Sequence, residues 1–343
     1  MSDHITICGW DIGGAHVKAA GLDKTGRVLF VRQYPAPLWQ GPEILQRVLT
    51  DAARDAGLQD CEHAVTMTGE LADCFRDREQ GVAAILGYVG SAFPAARLRV
   101  YAGEPGLLEP GQALGQYAGV ASANWLASAA WLARHYTDGV LVDIGSTTTD
   151  LVPFRDGRPA ARGRTDFERL GCGELVYTGI VRTPVMALVR EVPFHGDLHP
   201  VIPELFATMA DVYRLTGELQ PHHDLLPGAD GGGKNPGDSA RRLARMLGLD
   251  LEDAPDLQAW QELARYIAAQ QLQRIAAALP ADCPGSVLIG AGCGRFLVPA
   301  LARERGCEWV DFDAHLYMDA ILRDISSDCA AAVSVAQLAL LQP

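Results

Sequence analysis

Over residues 5 to 34, short apolar blocks rich in isoleucine and valine are broken by glycine and polar turns, a pattern that predicts three strands joined at Gly13-Gly14 and at Lys24-Thr25-Gly26. The period then changes. Pro42 opens a helix to about Ala56, with Leu45, Val48 and Leu49 as its apolar stripe. His63 to Thr68 reads as a further strand, Gln80 to Phe93 as a helix and Leu98 to Tyr101 as a strand. Strands alternating with helices in this way predict a layered α/β fold.

Farther along, Gly119 to Tyr136 is helical and crowded with alanine and serine, so that another backbone can approach it closely, and Gly139 to Phe154 returns to a two-strand pattern. Residues 155 to 230 are less regular. Gly228 to Ala240 reads as a loop, in which Lys234 is most simply a solvated side chain and Asp238 or Ser239 caps a helix from Ala240 to Leu247. A longer helix from Leu257 to about Leu279, a strand at 286–290, a glycine turn opening a helix, and an alanine-rich helix from Ala330 to Leu341 follow.

Two of these stretches repeat one another. GWDIGGAHVKAAGLDKTG and LVDIGSTTTDLVPFRDGR each run an apolar strand into Asp-Ile-Gly, a tight turn of small residues, a second strand and a closing glycine. Asp143 follows Asp11 by 132 positions and Gly157 follows Gly26 by 131, so the pattern is an internal duplication. Glycine at a hairpin tip permits positive φ and lets backbone N–H groups approach an anion. Candidate phosphate-binding positions are therefore Gly13, Gly14, Ala15 and His16 in the first tip, and Gly145, Ser146, Thr147, Thr148 and Thr149 in the second. Asp11 and Asp143 would repel a phosphate unless a hard cation intervened. Magnesium takes one or two carboxylates together with phosphate oxygens, so both aspartates are candidate metal ligands, and Lys18 adds a point charge. Two facing copies of such a hairpin suit a metal-bound polyphosphate held between two lobes.

Composition narrows the choice of ligand. A formal charge of −13 argues against a nucleic-acid or anionic-membrane partner, which would need a basic face. A hydrophobic fraction of 48% over 343 residues supports two domains with sizeable cores. The N-terminal residues lack a signal-peptide pattern, no membrane-length apolar run appears, and eight cysteines, Cys283 among them, are scattered without a CxxC pair. These features predict a cytoplasmic protein with reduced thiols. His195, His199, His222 and His223 are accompanied by neither a CxxC pair nor an HExxH pattern, so zinc is not assigned. GAGCGRF after a buried strand has GxGxG rather than the dinucleotide spacing GxGxxG, so Gly290, Gly292, Cys293 and Gly294 are assigned to a nucleoside or substrate instead.

Hairpin one, hairpin two and the C-terminal glycine turn, in that order, resemble the actin, Hsp70 and sugar-kinase superfamily of two-lobed ATPases. The resemblance implies a ribonuclease H-like α/β fold with ATP or ADP as an alternative ligand of the cradle. It also implies two small-residue helices crossing between the lobes, for which Gly119–Tyr136 and Ala330–Leu341 are suited. The corresponding domains are residues 1–136, 137–329 and a C-terminal helix, 330–343, returning toward the first lobe.

A narrower match over nearly the full length rests on GWDIGGAHVKAA, TMTGELADCF, ASANWLASA, LVDIGSTTTDLVP and RLARMLG. These resemble the hydantoinase/oxoprolinase-related proteins of tetrahydromethanopterin-linked one-carbon metabolism. The resemblance implies a methylofuran-biosynthesis transferase that joins an aminomethylfuran-methyl diphosphate to the phenolic amine γ-glutamyltyramine as an aryl ether, releasing pyrophosphate. An ATP-dependent kinase or ring-amide hydrolase, or a nonenzymatic nucleotide switch, are the alternatives on the same fold. A phenol of pKa about 10 needs a base as it attacks. Glu70 or Asp73 in TGELAD is the first candidate for that role, and His16 the second.

Overall fold

The structure is a computed structural model that describes residues 4–280 and 287–342; Cys283 and Ser286 lie outside the described residues. The chain opens with β1 (Ile7–Ile12), β2 (His16–Leu22) and β3 (Val28–Pro35), the three strands expected, followed by α1 (Glu43–Ala56), β4 (Glu62–Met67), α2 (Arg78–Ala92), β5 (Leu98–Tyr101) and β6 (Leu107–Leu108). Three helices then follow, α3 (Pro110–Gly115), α4 (Tyr117–Val120) and α5 (Asn124–Leu132). The second hairpin is β7 (Gly139–Ile144) and β8 (Thr149–Arg155), with the short β9 (Arg158–Pro159) after it. Next come α6 (Asp166–Cys172), β10 (Leu175–Val176), β11 (Glu191–Phe194), β12 (Asp197–Pro200), α7 (Met209–Thr216), α8 (Pro236–Met246) and α9 (Leu257–Ala278). The chain ends with β13 (Val287–Ala291), α10 (Val298–Arg305), β14 (Glu308–Asp311), α11 (Arg323–Asp328) and α12 (Ala330–Leu341).

Two compact units result. The first comprises residues 1–141, 152–166 and 310–343, and the second comprises 142–151 and 167–309. The unit boundaries therefore differ from the sequence-based ones: residues 152–166 and 310–329 belong with the N-terminal part of the chain.

In the first unit a six-stranded sheet has the order β3-β2-β1-β4-β5-β6. Strands β1, β2 and β3 are antiparallel neighbours, whereas β4 and β5 continue the sheet in parallel with β1. Burial explains why β1 carries no alternation, since all six of its residues are covered. Helix α12 packs on β1, β2 and β4 and on α5. A Cβ at Gly9 would collide with the carbonyl of Ala332 and with Ala336, so the α12 backbone passes close against β1 there. Helix α1 buries Ile44, Leu45, Val48, Leu49 and Ala52 on one face and stops at Gly57, whose φ of 63° gives a left-handed cap.

The segment predicted as one helix from Gly119 to Tyr136 is broken. Helix α4 ends at Val120 and α5 starts at Asn124, with Ser122 between them at a φ of 52°. Composition favours a helix here, but the local backbone takes a conformation that side chains with a Cβ adopt only at a cost.

The second sheet has the order β10-β8-β7-β13-β14, with β9 on β8. Within the second unit, α7, α8 and α9 pack together. A polar chain runs through this packing: the Tyr213 hydroxyl donates to Gln271 Oε1 at 2.6 Å, and Gln271 Nε2 donates to the Thr178 hydroxyl at 2.6 Å and the Gly179 carbonyl at 2.9 Å. Helix α8 begins earlier than expected because Asn235, rather than Asp238 or Ser239, is its cap; Asp238 closes the reciprocal capping box. The glycine loop before it is pinned. Lys234 Nζ donates to the carbonyls of Asp224 and Leu226 at 2.7 and 2.6 Å, and Asp230 pairs with Arg242 at 3.0 Å. No single helix among the described residues is long and apolar enough to cross a membrane.

Candidate functional site

Both hairpin tips close in the same way. The Gly13 N–H donates to the His16 carbonyl at 2.9 Å, and the Gly145 N–H donates to the Thr148 carbonyl at 2.8 Å. The glycines at the tips, however, are not there for positive φ. Gly13, Gly14 and Gly145 are absent from the left-handed region, which holds the closing glycines Gly26 (φ 83°) and Gly157 (φ 70°). At Gly13 and Gly145 a Cβ would press on the His16 and Thr148 carbonyls at 3.0 and 3.3 Å, so the tip is narrow, while Gly14 faces open space.

In the first unit, Asp11 sits one residue from the end of β1, 5% exposed, opposite Lys18 of β2, with Lys18 Nζ at 4.0 Å from its carboxylate. The neighbouring parallel strand β4 brings a second group to the same edge. Thr68 N–H donates to the Ile12 carbonyl at 3.0 Å, and Gly69 fits against Ile12 O and Gly13 C, where a Cβ would stand 3.0 and 3.2 Å away. Glu70 therefore follows immediately beside the first hairpin tip, at the carboxyl end of parallel strands, where α/β sheets form ligand crevices.

Glu70 is 1% exposed. Its Oε1 accepts a hydrogen bond from the Ser122 hydroxyl at 2.8 Å, while Oε2 has no hydrogen-bond partner among the described residues. Burial pushes the Glu70 carboxyl above its ordinary range, against the opposing pull of the Ser122 hydrogen bond. Asp73, the other acid proposed for the base, stands exposed in the turn that follows. His16 is 8% exposed and begins β2, so it is not a solvated turn residue.

Beside Glu70 lies a cavity of about 630 Å³ lined by its chain neighbour Leu71 and its partner Ser122, with Tyr117, Ala118 and Ala121 between them. Arg78, Arg164 and Asp166 line it too, and Arg78 lies 3.7 Å from Asp166. Neither Ser122 nor this cavity was foreseen from sequence. The sequence carries no signal for either, because the alanine- and serine-rich composition is compatible with continuous helix across Ala121-Ser122-Ala123.

In the second unit, the C-terminal glycine turn packs directly on the second hairpin tip. Gly294 N–H donates to the Ile144 carbonyl at 2.8 Å, and Gly292, at φ 77°, lies so close that a Cβ would overlap the Asp143 carboxylate and the Ile144 carbonyl. Cys293 Sγ contacts the same carbonyl at 3.8 Å, and Gly290 leaves room for Val298 of α10. Only glycine serves at 292. A segment missed by sequence reading braces the other side of this tip. Ile180 N–H donates to Gly145 O at 3.1 Å, Arg182 N–H to Ser146 O at 2.8 Å, and a Cβ at Gly179 would strike Thr147 N. The Ser146 and Thr147 hydroxyls are 3.4 Å apart, and the Thr149 hydroxyl is committed to the Thr178 carbonyl at 2.7 Å.

Each unit thus holds one strand-end carboxylate beside a narrow tip with backbone amides. In the second unit the carboxylate oxygen occupies the space that a side chain at 292 would fill. A hard oxygen donor in such a cradle fits magnesium, which binds proteins through few carboxylates and completes its shell with water and phosphate oxygens.

Residues 62–328 match the family Hydantoinase/oxoprolinase. The chain is 33% identical over 253 residues, 74% of each chain, to the (4-{4-[2-(gamma-L-glutamylamino)ethyl]phenoxymethyl}furan-2-yl)methanamine synthase of Methanocaldococcus jannaschii. It is 36% identical over 112 residues to the synthase of the same name from Methanococcus vannielii, spanning 33% of this chain and 50% of that one. Among solved structures it is similar to nucleotide-free acetone carboxylase, from work on ATP-dependent acetone carboxylation, with a TM-score of 0.56 at 11% identity over 97% of this chain and 70% of that one. It is also similar to a chain of the PilM-PilN type IV pilus biogenesis complex, with a TM-score of 0.51 at 13% identity over 99% of both chains. At such identities the likeness is one of fold alone: two mixed sheets with flanking helices, an actin-like α/β architecture.

Proposed function

Because this chain belongs to the hydantoinase/oxoprolinase family, we propose that it is a transferase that condenses aminomethylfuran-methyl diphosphate with γ-glutamyltyramine to an aryl ether and releases pyrophosphate. The observation that carries this reading is the identity of 33%, spread over 74% of both chains, to a protein named as the synthase of that ether amine. The buried acid beside the first hairpin tip supports it, since the reaction needs a diphosphate cradle and a proton acceptor close together.

In this reaction the phenolic oxygen attacks the furan-bound methylene carbon, and the bond from that carbon to the diphosphate oxygen breaks with its electron pair. Negative charge accumulates on the leaving diphosphate. Lys18 and the narrow tips are suited to it: Gly13 and Gly145 close the tips through their own N–H bonds, and Gly14, Ala15 and His16 in one and Ser146, Thr147 and Thr148 in the other would offer the donors. Thr149 supports its tip through the bond to Thr178. Asp11 and Asp143 would hold magnesium, which supplies positive charge to the phosphate oxygens when bound. Glu70 takes the phenol's proton in preference to Asp73, because desolvation raises the basicity of a buried carboxylate. The turn of Gly290, Gly292, Cys293 and Gly294 shapes the second cradle by packing on Asp143 and Ile144.

The test is to incubate the protein and magnesium with the furan diphosphate and γ-glutamyltyramine. Mass spectrometry of the product and a pyrophosphate assay should report ether and pyrophosphate in equal amounts without ATP. ADP release with no coupled product would replace this reading with a kinase or hydrolase, and an ATP-dependent change of shape without turnover would replace it with a nucleotide switch.

A further inference from the structure

We propose that the cavity beside Glu70 is the site of the phenolic acceptor, with the Ser122 hydroxyl contacting the phenol and Glu70 receiving the proton through it. The inference rests on the transferase reading for the identity of the reaction, and on the first unit alone for its geometry.

Three observations converge. The cavity is lined by Ser122 but not by Glu70, which is only 1% exposed, so the serine stands between the cavity and the carboxylate. Ser122 Oγ already donates to Glu70 Oε1 at 2.8 Å, and Ser122 holds a φ of 52°. A serine in the left-handed region carries a backbone cost of about 1 kcal/mol or more, which a position with no need for that hydroxyl would shed by becoming glycine. The fold also leaves Glu70 Oε2 unpartnered and buried, an arrangement that opposes ionisation and readies the carboxylate to take a proton.

The rest of the cavity fits the rest of the acceptor. Tyr117, Leu71 and the small Ala118 and Ala121 provide apolar and aromatic walls for a phenyl ring. Arg78 and Asp166 supply opposite charges close together. A γ-glutamyl group ends in an α-ammonium and an α-carboxylate on one carbon, so a mixed-sign wall suits it better than a surface of one sign would. In the reaction the phenol O–H bond breaks and its proton passes to Ser122 Oγ. The serine's own proton passes to the Glu70 carboxylate, and the phenolate oxygen forms the new bond to the methylene carbon as pyrophosphate departs. Glu70 then returns its proton to water.

Binding and turnover test separate parts of this proposal. Calorimetry with γ-glutamyltyramine alone should show binding to the wild type and at least tenfold weaker binding to Arg78→Gln, whereas tyramine, which lacks the amino-acid group, should bind both equally. That difference stands whether or not the protein makes an ether, so equal affinities overturn the cavity assignment without bearing on the reaction. For the relay, Ser122→Gly keeps the left-handed backbone and removes the hydroxyl. It should fold at least as well as the wild type and lose about 10²- to 10³-fold in kcat, the scale of a removed general base. Glu70→Gln should abolish the acidic limb of the kcat/KM profile. A fluorinated acceptor with a more acidic phenol should restore much of the rate in both variants. An unchanged kcat in Ser122→Gly, or equal losses with ordinary and fluorinated acceptors, overturns the relay.

Discussion

The two hairpins descend from one pattern and solve the same electrostatic problem differently. Both close with the same N–H to carbonyl bond, between residues exactly matched by the 132-position offset. Applying that offset to Lys18, which faces Asp11, leads to Asp150, an acid in place of a base. Asp150 is neutralised from elsewhere in its own unit, by Arg169 at 2.7 Å, a side chain 1% exposed that also donates to the Glu174 carbonyl at 3.0 Å. The first hairpin carries its cation on its own second strand, 25% exposed. The second draws it from a helix, inside the core. Charge near a hairpin tip can thus be a partly exposed contact in one copy and part of the packing in the other.

That contrast predicts the largest effect. Arg169→Met leaves Asp150 without its buried partner and should cost about 3–5 kcal/mol of stability. Lys18→Met removes a partly exposed contact at 4.0 Å and should cost under about 1 kcal/mol, with its effect falling on turnover instead. Denaturant unfolding followed by tryptophan fluorescence measures both. Equal destabilisation by the two substitutions would dissolve the distinction.

The carboxylates should behave alike where the cations differ. If Asp11 and Asp143 both serve the diphosphate, Asp11→Asn and Asp143→Asn should each lower kcat by about a hundredfold or more, the scale of a lost charge-stabilising group, with melting temperatures close to the wild type. Full activity in both variants would end the magnesium assignment, and loss in one alone would confine the cradle to a single copy.

How far the sequence discloses such differences depends on the range of the contacts involved. The strand, Asp-Ile-Gly and turn are local and repeated, so the hairpins and the α/β class are legible from residue pattern. The closing glycines are legible as left-handed turns for the same reason. Gly13, Gly14 and Gly145 stand at the hairpin tips that the pattern predicts, but the constraint at Gly13 and Gly145 is a carbonyl across the tip and not a positive φ. Long-range features stay hidden. Nothing near Gly292 announces that it must lie against Asp143, 149 residues earlier, and nothing near Arg169 announces Asp150. The break at Ser122 is hidden for another reason, since alanine and serine are compatible with helix and only the demand of a buried Glu70 distinguishes this serine from its neighbours. Likewise residues 152–166 and 310–329 rejoin the first unit through contacts remote in sequence.

Glycine substitutions sharpen the comparison at smaller scale. Gly292→Ala combines a φ of 77° with overlap onto Asp143 and Ile144, and should cost about 2–3 kcal/mol together with most of the activity. Gly14→Ala, in the first tip, meets nothing within 4 Å and has no left-handed requirement, so it should change stability by less than about 0.5 kcal/mol. Its turnover then reports whether the first tip itself must admit a ligand closely. Thermal melts and steady-state rates on the same preparations separate the two effects.

The smallest effect comes from the strands behind the tips. Trp10 of β1 is fully buried and donates from Nε1 to His63 Nδ1 at 2.9 Å, with Phe93 stacked on the imidazole at 3.9 Å; the same offset places Val142 in β7, which has no such partner. Burial lowers the His63 pKa to about 4, below the roughly 6.5 of an unfolded histidine. The unfolded chain then binds the extra proton first as pH falls. The neutral imidazole's contribution is complete above pH about 6.5 and is lost progressively toward pH about 4, reaching about 1 kcal/mol at pH 5.5. Urea midpoints between pH 7.5 and 5 should therefore decline more steeply in the wild type than in His63→Gln, which retains a hydrogen-bond acceptor but does not titrate. Because only the first copy carries this pair, amide exchange should locate the acid-sensitive opening in β1 and β4 and leave β7 unaffected. Acid sensitivity shared equally by both hairpins would trace the effect to carboxylates common to the two copies instead of to the Trp10–His63 pair.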